Sequence, residues 1–98
     1  MEYRTLGRSG LKVSALSMGT FSFGGQGDFS AIASQGKDDA ARLIDISLDH
    51  GVNLIDTANM YSNGLAEEIL GEVLVSRSAD ILVSSKARMR IGNGPNDE

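Results

Sequence analysis

Apolar residues are spaced in two ways along this chain, and the spacing separates predicted strands from predicted helices. Residues 3–6 and 11–14 are short β-compatible segments, and the glycines between them favour the tight reversal of a β-hairpin. Residues 15–18 follow as a strand of the buried type. A glycine-rich stretch without periodicity, residues 21–36, then predicts a long loop.

A helical pattern begins at Lys37. Asp38 and Asp39 suit an N-cap and a first turn, and Gly51 suits the left-handed residue that often follows a helix. The apolar side of this helix recurs at three- and four-residue spacing, through Ala40, Leu43, Ile44, Ser47 and Leu48. A second stripe of this kind predicts another helix over residues 65–74.

Two further strands are predicted at residues 52–55 and 80–85, and each ends at a charged residue. Asp56 closes the first strand and Lys86 closes the second. The first segment is short and almost wholly apolar, as expected for a parallel strand that is covered on both faces, and the second is also of the buried type. The whole order is a hairpin followed by alternating strands and helices, which predicts an α/β fold with a parallel sheet.

Two α/β architectures are compatible with this pattern. An open, doubly wound sheet would call for a dinucleotide fingerprint, but Gly24, Gly25 and Gly27 do not fit G-x-G-x-x-G because residue 30 is serine. A phosphate-binding G-K-[ST] sequence is missing as well, so we interpret these glycines as serving loop flexibility. A (β/α)₈ barrel instead places function at the carboxyl ends of its strands, where Asp56 and Lys86 stand.

Composition narrows the classes of function. The chain has 98 residues and a net charge of -4, without a basic stripe of the kind that binds nucleic acid. It has no cysteine and one histidine, so neither a thiolate site nor a His-rich metal site fits, and no metal is expected. No segment resembles a signal peptide or approaches the ~20 apolar residues that span a bilayer. We expect a cytoplasmic protein without nucleic-acid or membrane partners.

Asp56, Lys86 and Tyr61 have the chemistry of a tuned proton donor. Matching ends of adjacent parallel strands lie ~4.8 Å apart, so Asp56 and Lys86 could form a partly buried ion pair. Tyr61 lies in the loop between them, where a lysine ammonium would make a phenol a better acid toward a carbonyl oxygen. Taken singly, each residue has an ordinary structural explanation, as a cap, a solvated lysine or a packing tyrosine.

His50 belongs to the end of the first helix, and we interpret it as structural.

Three stretches of the chain resemble the aldo-keto reductase family. The segment RTLGRSGLKVSALSMGT, residues 4–20, is similar to the family's N-terminal hairpin and first strand. The segment DHGVNLIDTANMYSNGLAEEILGEVL, residues 49–74, resembles the signature D-x-G-x-N-x-I-D-T-A-x-x-Y-x-x-G-x-x-E-x-x-L-G-x-x-L. ILVSSK, residues 81–86, is similar to the family's strand that ends in a lysine.

The resemblance implies a fold and a set of roles. It implies one domain over residues 1–98, comprising a hairpin cap (1–14), the first three strands of a (β/α)₈ barrel (15–86) and a loop (87–98), or about the first third of the barrel. Tyr61 would be the proton donor, with Lys86 beside it and Asp56 supporting Lys86. Gly19, Thr20 and Asp56 would line the nicotinamide end of NADPH, and the substrate would be a small aldehyde or ketone. A catalytic histidine and the adenosine-binding residues of the family would lie outside this sequence.

Two other readings stay open. The chain could belong to a noncatalytic regulatory or binding subunit on the same barrel, as in the potassium-channel β subunits that resemble reductases. It could also be a fragment that associates with itself through uncovered strand edges. Phe21, Phe23 and Phe29 could line a pocket, although packing against the hairpin would explain them equally well.

Overall fold

The predicted N-terminal hairpin is present. The computed structural model describes residues 1–24, 36–77, 80–88 and 92–96. Within them, β1 (Tyr3–Thr5) and β2 (Lys12–Ser14) pair in antiparallel fashion, so both strands are slightly shorter than the sequence pattern suggested.

The first parallel strand begins later than predicted. The pattern placed it at residues 15–18, whereas β3 covers only Met18–Gly19. The Ser14 hydroxyl donates a hydrogen bond to the Leu16 carbonyl at 2.6 Å. This local bond bends the backbone where the chain leaves the hairpin, so extended pairing starts only at Met18.

The first predicted helix is confirmed as α1 (Lys37–Asp49), and one detail of its start was wrong. Gly36, not Asp38, occupies the N-cap position, because helical backbone already begins at Lys37. Asp38 and Asp39 both lie in the first turn, near the positive end of the helix dipole. Gly51 has a φ of 87° and follows the helix in the left-handed conformation that the sequence predicted.

Three strands form the parallel sheet, in the order β3, β4, β5. β4 covers Leu54–Asp56 and β5 covers Leu82–Ser84, so both are shorter than the predicted segments 52–55 and 80–85. The N–H of Val52 donates to the Ser47 carbonyl at 3.0 Å, which keeps the start of the predicted strand attached to the end of α1.

The apolar stripes of the two helices meet the sheet, as predicted. α2 covers Leu65–Leu74 and packs with α1 over β4. The buried cluster between them consists of Phe23, Ala40, Ile44, Ile55, Ala66, Ile69, Leu70 and Val73. Each of the larger aliphatic side chains in this cluster contributes about 1.5–3 kcal/mol by leaving water.

The prediction of buried strands is wrong for the two outer strands of the parallel sheet. Ile55 in the central strand is fully buried, but Val83 in β5 is 48% exposed and Leu16 before β3 is 66% exposed. The reason is that the helical layer of the described residues is centred on β4. In the part of the chain that the structure describes, the result is the predicted α/β arrangement of a hairpin, three parallel strands and two helices, and these strands do not close into a barrel. Within the described residues, no helix has the length and apolar character needed to cross a membrane.

Candidate active site

Three predicted residues lie together at the carboxyl end of the parallel sheet. Asp56 is the last residue of β4, and Lys86 follows β5 by two residues. Tyr61 begins a tight 3-10 turn, Tyr61–Gly64, that leads into α2. The Lys86 Nζ atom lies 2.7 Å from Asp56 Oδ2 and 3.3 Å from the Tyr61 hydroxyl oxygen. The structure therefore places in direct contact the three side chains that the sequence singled out.

The Lys86 ammonium has an acceptor for each of its three hydrogens. It donates to Asp56 Oδ2 at 2.7 Å, to the Thr57 carbonyl at 2.9 Å and to the Tyr61 oxygen at 3.3 Å. An ammonium has no lone pair, so Tyr61 is the acceptor in the last of these bonds. The hydrogen of the phenol takes no part in this contact, and the positive charge lies beside the phenol oxygen.

The Asp56 carboxylate is held at both oxygens. Lys86 binds Oδ2, and the Ser84 hydroxyl donates to Oδ1 at 2.6 Å. Asp56 and Ser84 are neighbours across β4 and β5 in the strand register. Sequence reasoning missed Ser84, although a signal was present: side chains two residues apart share a face of a strand, and Ser84 precedes Lys86 by two.

These contacts keep the pair ionised. The hydrogen bond from Lys86, and then the bond from Ser84, lower the pKa of Asp56 below its usual value. The bond to Asp56 raises the pKa of Lys86, with a smaller contribution from the bond to Tyr61. The Lys86 and Asp56 side chains are 51% and 37% exposed, so the charges stand at an accessible surface and not in the core.

Two groups pack against the Tyr61 ring. The Phe21 ring meets it edge to face, with centroids 5.2 Å apart and an interplanar angle of 78°. The Lys86 Nζ atom lies 5.1 Å from the centre of the same ring. Phe21 therefore borders the site, and its role as a pocket wall stays a prediction. Phe23 is fully buried in the helix-sheet core, so neither alternative was right for it, and Phe29 lies outside the described residues.

Gly19 and Thr20, predicted to line a cofactor, lie at the same edge of the sheet. Gly19 is paired with Asp56 in the register, and the Thr20 N–H donates to the Asp56 carbonyl at 3.0 Å. Gly19 is exposed, and a Cβ built there would meet no atom of the described residues within 4 Å, chain neighbours aside. The Thr20 side chain is fully buried, and its hydroxyl has no hydrogen-bond partner in the described part of the chain.

His50 lies away from this group of residues. Its Nδ1 atom is 2.9 Å from the Ile46 carbonyl oxygen at the carboxyl end of α1, which agrees with the structural interpretation. Residues 1–24, 36–77, 80–88 and 92–96 contain no group of three or more acidic, histidine or cysteine side chains placed to hold a metal ion.

Comparisons of sequence place the chain beside known proteins. The profile of the Aldo/keto reductase family matches residues 15–98. Two curated relatives are each 42% identical over 102 aligned positions, and both are described as a probable voltage-gated potassium channel subunit beta, from Arabidopsis thaliana and Oryza sativa subsp. japonica. These alignments include 100% of this chain and 28% of each relative, so the chain spans less than a third of their length.

Comparisons of structure agree. The structure of an aldo-keto reductase from Bacillus halodurans, solved in its holo form, aligns with 99% of this chain at 34% identity and a TM-score of 0.76. The aligned part is 29% of that reductase. A glycerol dehydrogenase from Gluconobacter oxydans matches 87% of this chain with 25% of its own, at 32% identity and a TM-score of 0.68. The predicted likeness to part of a reductase barrel is thus confirmed, and the chain belongs to the aldo/keto reductase family.

Proposed function

We propose that this chain provides the first part of a barrel enzyme that reduces aldehyde or ketone carbonyls to alcohols with NADPH. The observation that carries the proposal is the continuous contact from Asp56 through Lys86 to Tyr61, with distances of 2.7 and 3.3 Å. A carboxylate, an ammonium and a phenol in this order make a proton donor whose conjugate base is stabilised by a neighbouring positive charge.

The roles of the residues follow from this arrangement. Tyr61 gives its hydroxyl hydrogen to the carbonyl oxygen of the substrate as negative charge develops there. The Lys86 ammonium stabilises the charge that remains on the phenol oxygen. Asp56 and the Thr57 carbonyl hold the ammonium in place, because each accepts one of its hydrogens. NADPH, when bound, supplies the hydride.

The described residues fit a nicotinamide at this edge of the sheet. Among the described residues, Gly19 leaves open space at an exposed strand end, and Asp56 is its partner in the register. A flat ring can approach glycine backbone closely because no side chain intervenes. Thr20 acts in this proposal through its N–H, which fixes the Asp56 backbone, since its side chain is buried.

The test is Tyr61→Phe in the whole protein. Loss of the phenol hydrogen should reduce turnover of a carbonyl substrate by about 10²–10⁴-fold, while NADPH affinity stays near the wild-type value. Turnover is measured as NADPH oxidation, and affinity as the change in NADPH fluorescence. Tyr3→Phe is the matched control, because Tyr3 lies in the hairpin and donates to the Gly51 carbonyl. Equal turnover in wild type and Tyr61→Phe would refute the assignment.

A second function is favoured by one observation. The two relatives at 42% identity are described as potassium channel β subunits, so the whole protein could bind a partner on the same barrel without needing turnover. A histidine beyond the fourth strand of the whole protein would support catalysis, and its absence would favour binding. Protein that binds NADPH yet oxidises none with a panel of aldehydes and ketones would favour the regulatory role.

A further inference from the structure

The turn that carries Tyr61 has an unusual backbone. Ser62, Asn63 and Gly64 lie in the left-handed region in succession, with φ values of 49°, 54° and 96°. Glycine adopts this conformation readily, but serine and asparagine do so at a cost in free energy. A turn of this kind persists only where surrounding contacts hold it, and such turns concentrate at functional sites.

Ser62 connects the turn to another segment of the chain. Its side chain is fully buried, and its hydroxyl donates to the Phe23 carbonyl at 2.9 Å. Phe23 is itself fully buried in the core, so the acceptor is a fixed point of the fold. The turn before α2 is thereby tied to the segment that follows β3.

Gly24 allows this close approach. A Cβ at Gly24 would lie 2.7 Å from the Ser62 Cβ and 2.8 Å from its Oγ, distances at which one of the two segments would have to move. The residue also has a φ of 100°. The interpretation of the loop glycines as a source of flexibility was therefore wrong for Gly24, since close packing requires a glycine there. Gly25 and Gly27 lie outside the described residues.

We propose that Ser62 is a positioning residue for Tyr61. Through its bond to the Phe23 carbonyl it holds the left-handed turn, and the turn sets the phenol oxygen 3.3 Å from the Lys86 ammonium. Phe21, two residues before Phe23, packs against the Tyr61 ring from the same segment, so the chain after β3 supports the proton donor at two points. The proposal rests on the reductase function above.

The experiment compares three variants of the whole protein. Ser62→Gly keeps the left-handed backbone without strain and removes the hydroxyl, and Ser62→Ala removes the hydroxyl but keeps the Cβ atom. Asn63→Gly is the matched control, because it relieves the same kind of strain at an exposed residue and leaves the Ser62 bond intact. Each variant is measured for kcat and KM with a carbonyl substrate, for NADPH affinity, and for backbone hydrogen exchange.

Ser62→Gly and Ser62→Ala should both lower kcat by roughly tenfold or more, as expected when a reacting group is displaced by a fraction of an ångström to 1 Å. NADPH affinity should not change. Exchange should speed up in the turn, at the Asn63 amide that bonds to the Met60 carbonyl, and not in α2. Asn63→Gly should match the wild type in kcat.

Three outcomes would overturn the proposal. Wild-type kcat in Ser62→Gly would mean that the hydroxyl does not position Tyr61. Unchanged exchange in the turn would mean that the bond does not hold it. Loss of protection throughout α2 and β4 in both serine variants would make Ser62 a residue of the general fold. Failure of the reductase function itself is separate, since it would appear as a wild-type protein that oxidises no NADPH with any carbonyl substrate, and full activity in Tyr61→Phe would refute Tyr61 as the proton donor.

Discussion

At the scale of single residues, the Asp56 carboxylate connects the charged and polar groups of the site. One carboxylate oxygen accepts from Lys86 and the other from Ser84, at 2.7 and 2.6 Å. Both donors favour the ionised carboxylate, and this is why the pKa of Asp56 is lowered. The Asp56 carboxylate in turn raises the pKa of Lys86 and keeps the charge beside Tyr61 in place.

The two pKa shifts fix how this pair contributes to stability as pH changes. The pKa of Asp56 is lower in the folded chain, so its contribution is complete above about pH 3.9 and is lost as pH falls through the folded value. The pKa of Lys86 is raised, so its contribution is complete below about pH 10.4 and is lost as pH rises through the folded value. Between these limits the pair is fully charged.

Ser84→Ala should raise the pKa of Asp56 toward its usual value, because one hydrogen bond to the carboxylate is lost. NMR titration of the Asp56 carboxyl carbon measures the change, and the acid side of the stability curve should move to higher pH with it. Ser85→Ala is the control, since the Ser85 hydroxyl donates to Glu67 at 3.0 Å instead. An unmoved Asp56 titration in Ser84→Ala would show that the bond has no effect on the charge.

At the scale of secondary-structure elements, Asn53 joins the hairpin to the parallel sheet. Its Oδ1 atom accepts from the Ser14 N–H at 2.8 Å, and its Nδ2 atom donates to the Lys12 carbonyl at 3.1 Å. The Ser14 hydroxyl also accepts a hydrogen bond from the Asn53 N–H, at 3.1 Å. Strand β2 of the hairpin is thus attached to the residue that immediately precedes β4.

Asn53→Ala should destabilise the protein by about 1–3 kcal/mol, because it leaves the partly buried Ser14 N–H and the Lys12 carbonyl without their partners. Denaturant unfolding gives the free energy, and hydrogen exchange at the Ser14 amide locates the effect in the hairpin. Lys12→Ala is the control, since the bond uses the Lys12 carbonyl and survives loss of the side chain. A stability equal to the wild type in Asn53→Ala would mean that the hairpin is held by other contacts.

Strands β3 and β5 are the edges of the parallel sheet in the described part of the molecule. Open edges carry backbone groups that pair with other strands, and Val83 adds an apolar side chain that is 48% exposed. At the scale of the whole molecule, this exposure is the basis for expecting the 98-residue chain to associate with itself when it is expressed alone.

Sedimentation of the 98-residue chain should show a mass that increases with concentration. Val83→Lys should lower the association constant by roughly fivefold, since about 1 kcal/mol of apolar burial at the edge is lost and a charge is added. Val75→Lys is the control, because Val75 is 86% exposed at the end of α2 and outside the sheet. A constant monomer mass at every concentration would rule out this association.

The local sequence pattern determined the secondary-structure elements and identified the charged residues of the site. Helical spacing located α1 and α2, apolar runs located the parallel strands to within a few residues, and the charged residues at the strand ends pointed to Asp56 and Lys86. These features depend on residues that are close in sequence, and periodicity reports them directly. The family likeness followed from the same residues, and the comparisons confirmed it.

Contacts between distant segments decided where the strands begin and which groups hold the site residues. The first parallel strand starts late because the Ala15 N–H donates to the Glu2 carbonyl at 2.8 Å, which keeps residue 15 on the hairpin. The bond from Ser84 to Asp56, the use of the Thr57 carbonyl by Lys86, and the packing of Ser62 against Gly24 each join residues that no periodicity connects. The sequence by itself determined which side chains could do the chemistry. Only the tertiary structure decided how they are held, because hydrogen-bond partners and close approaches are fixed when separate segments pack together.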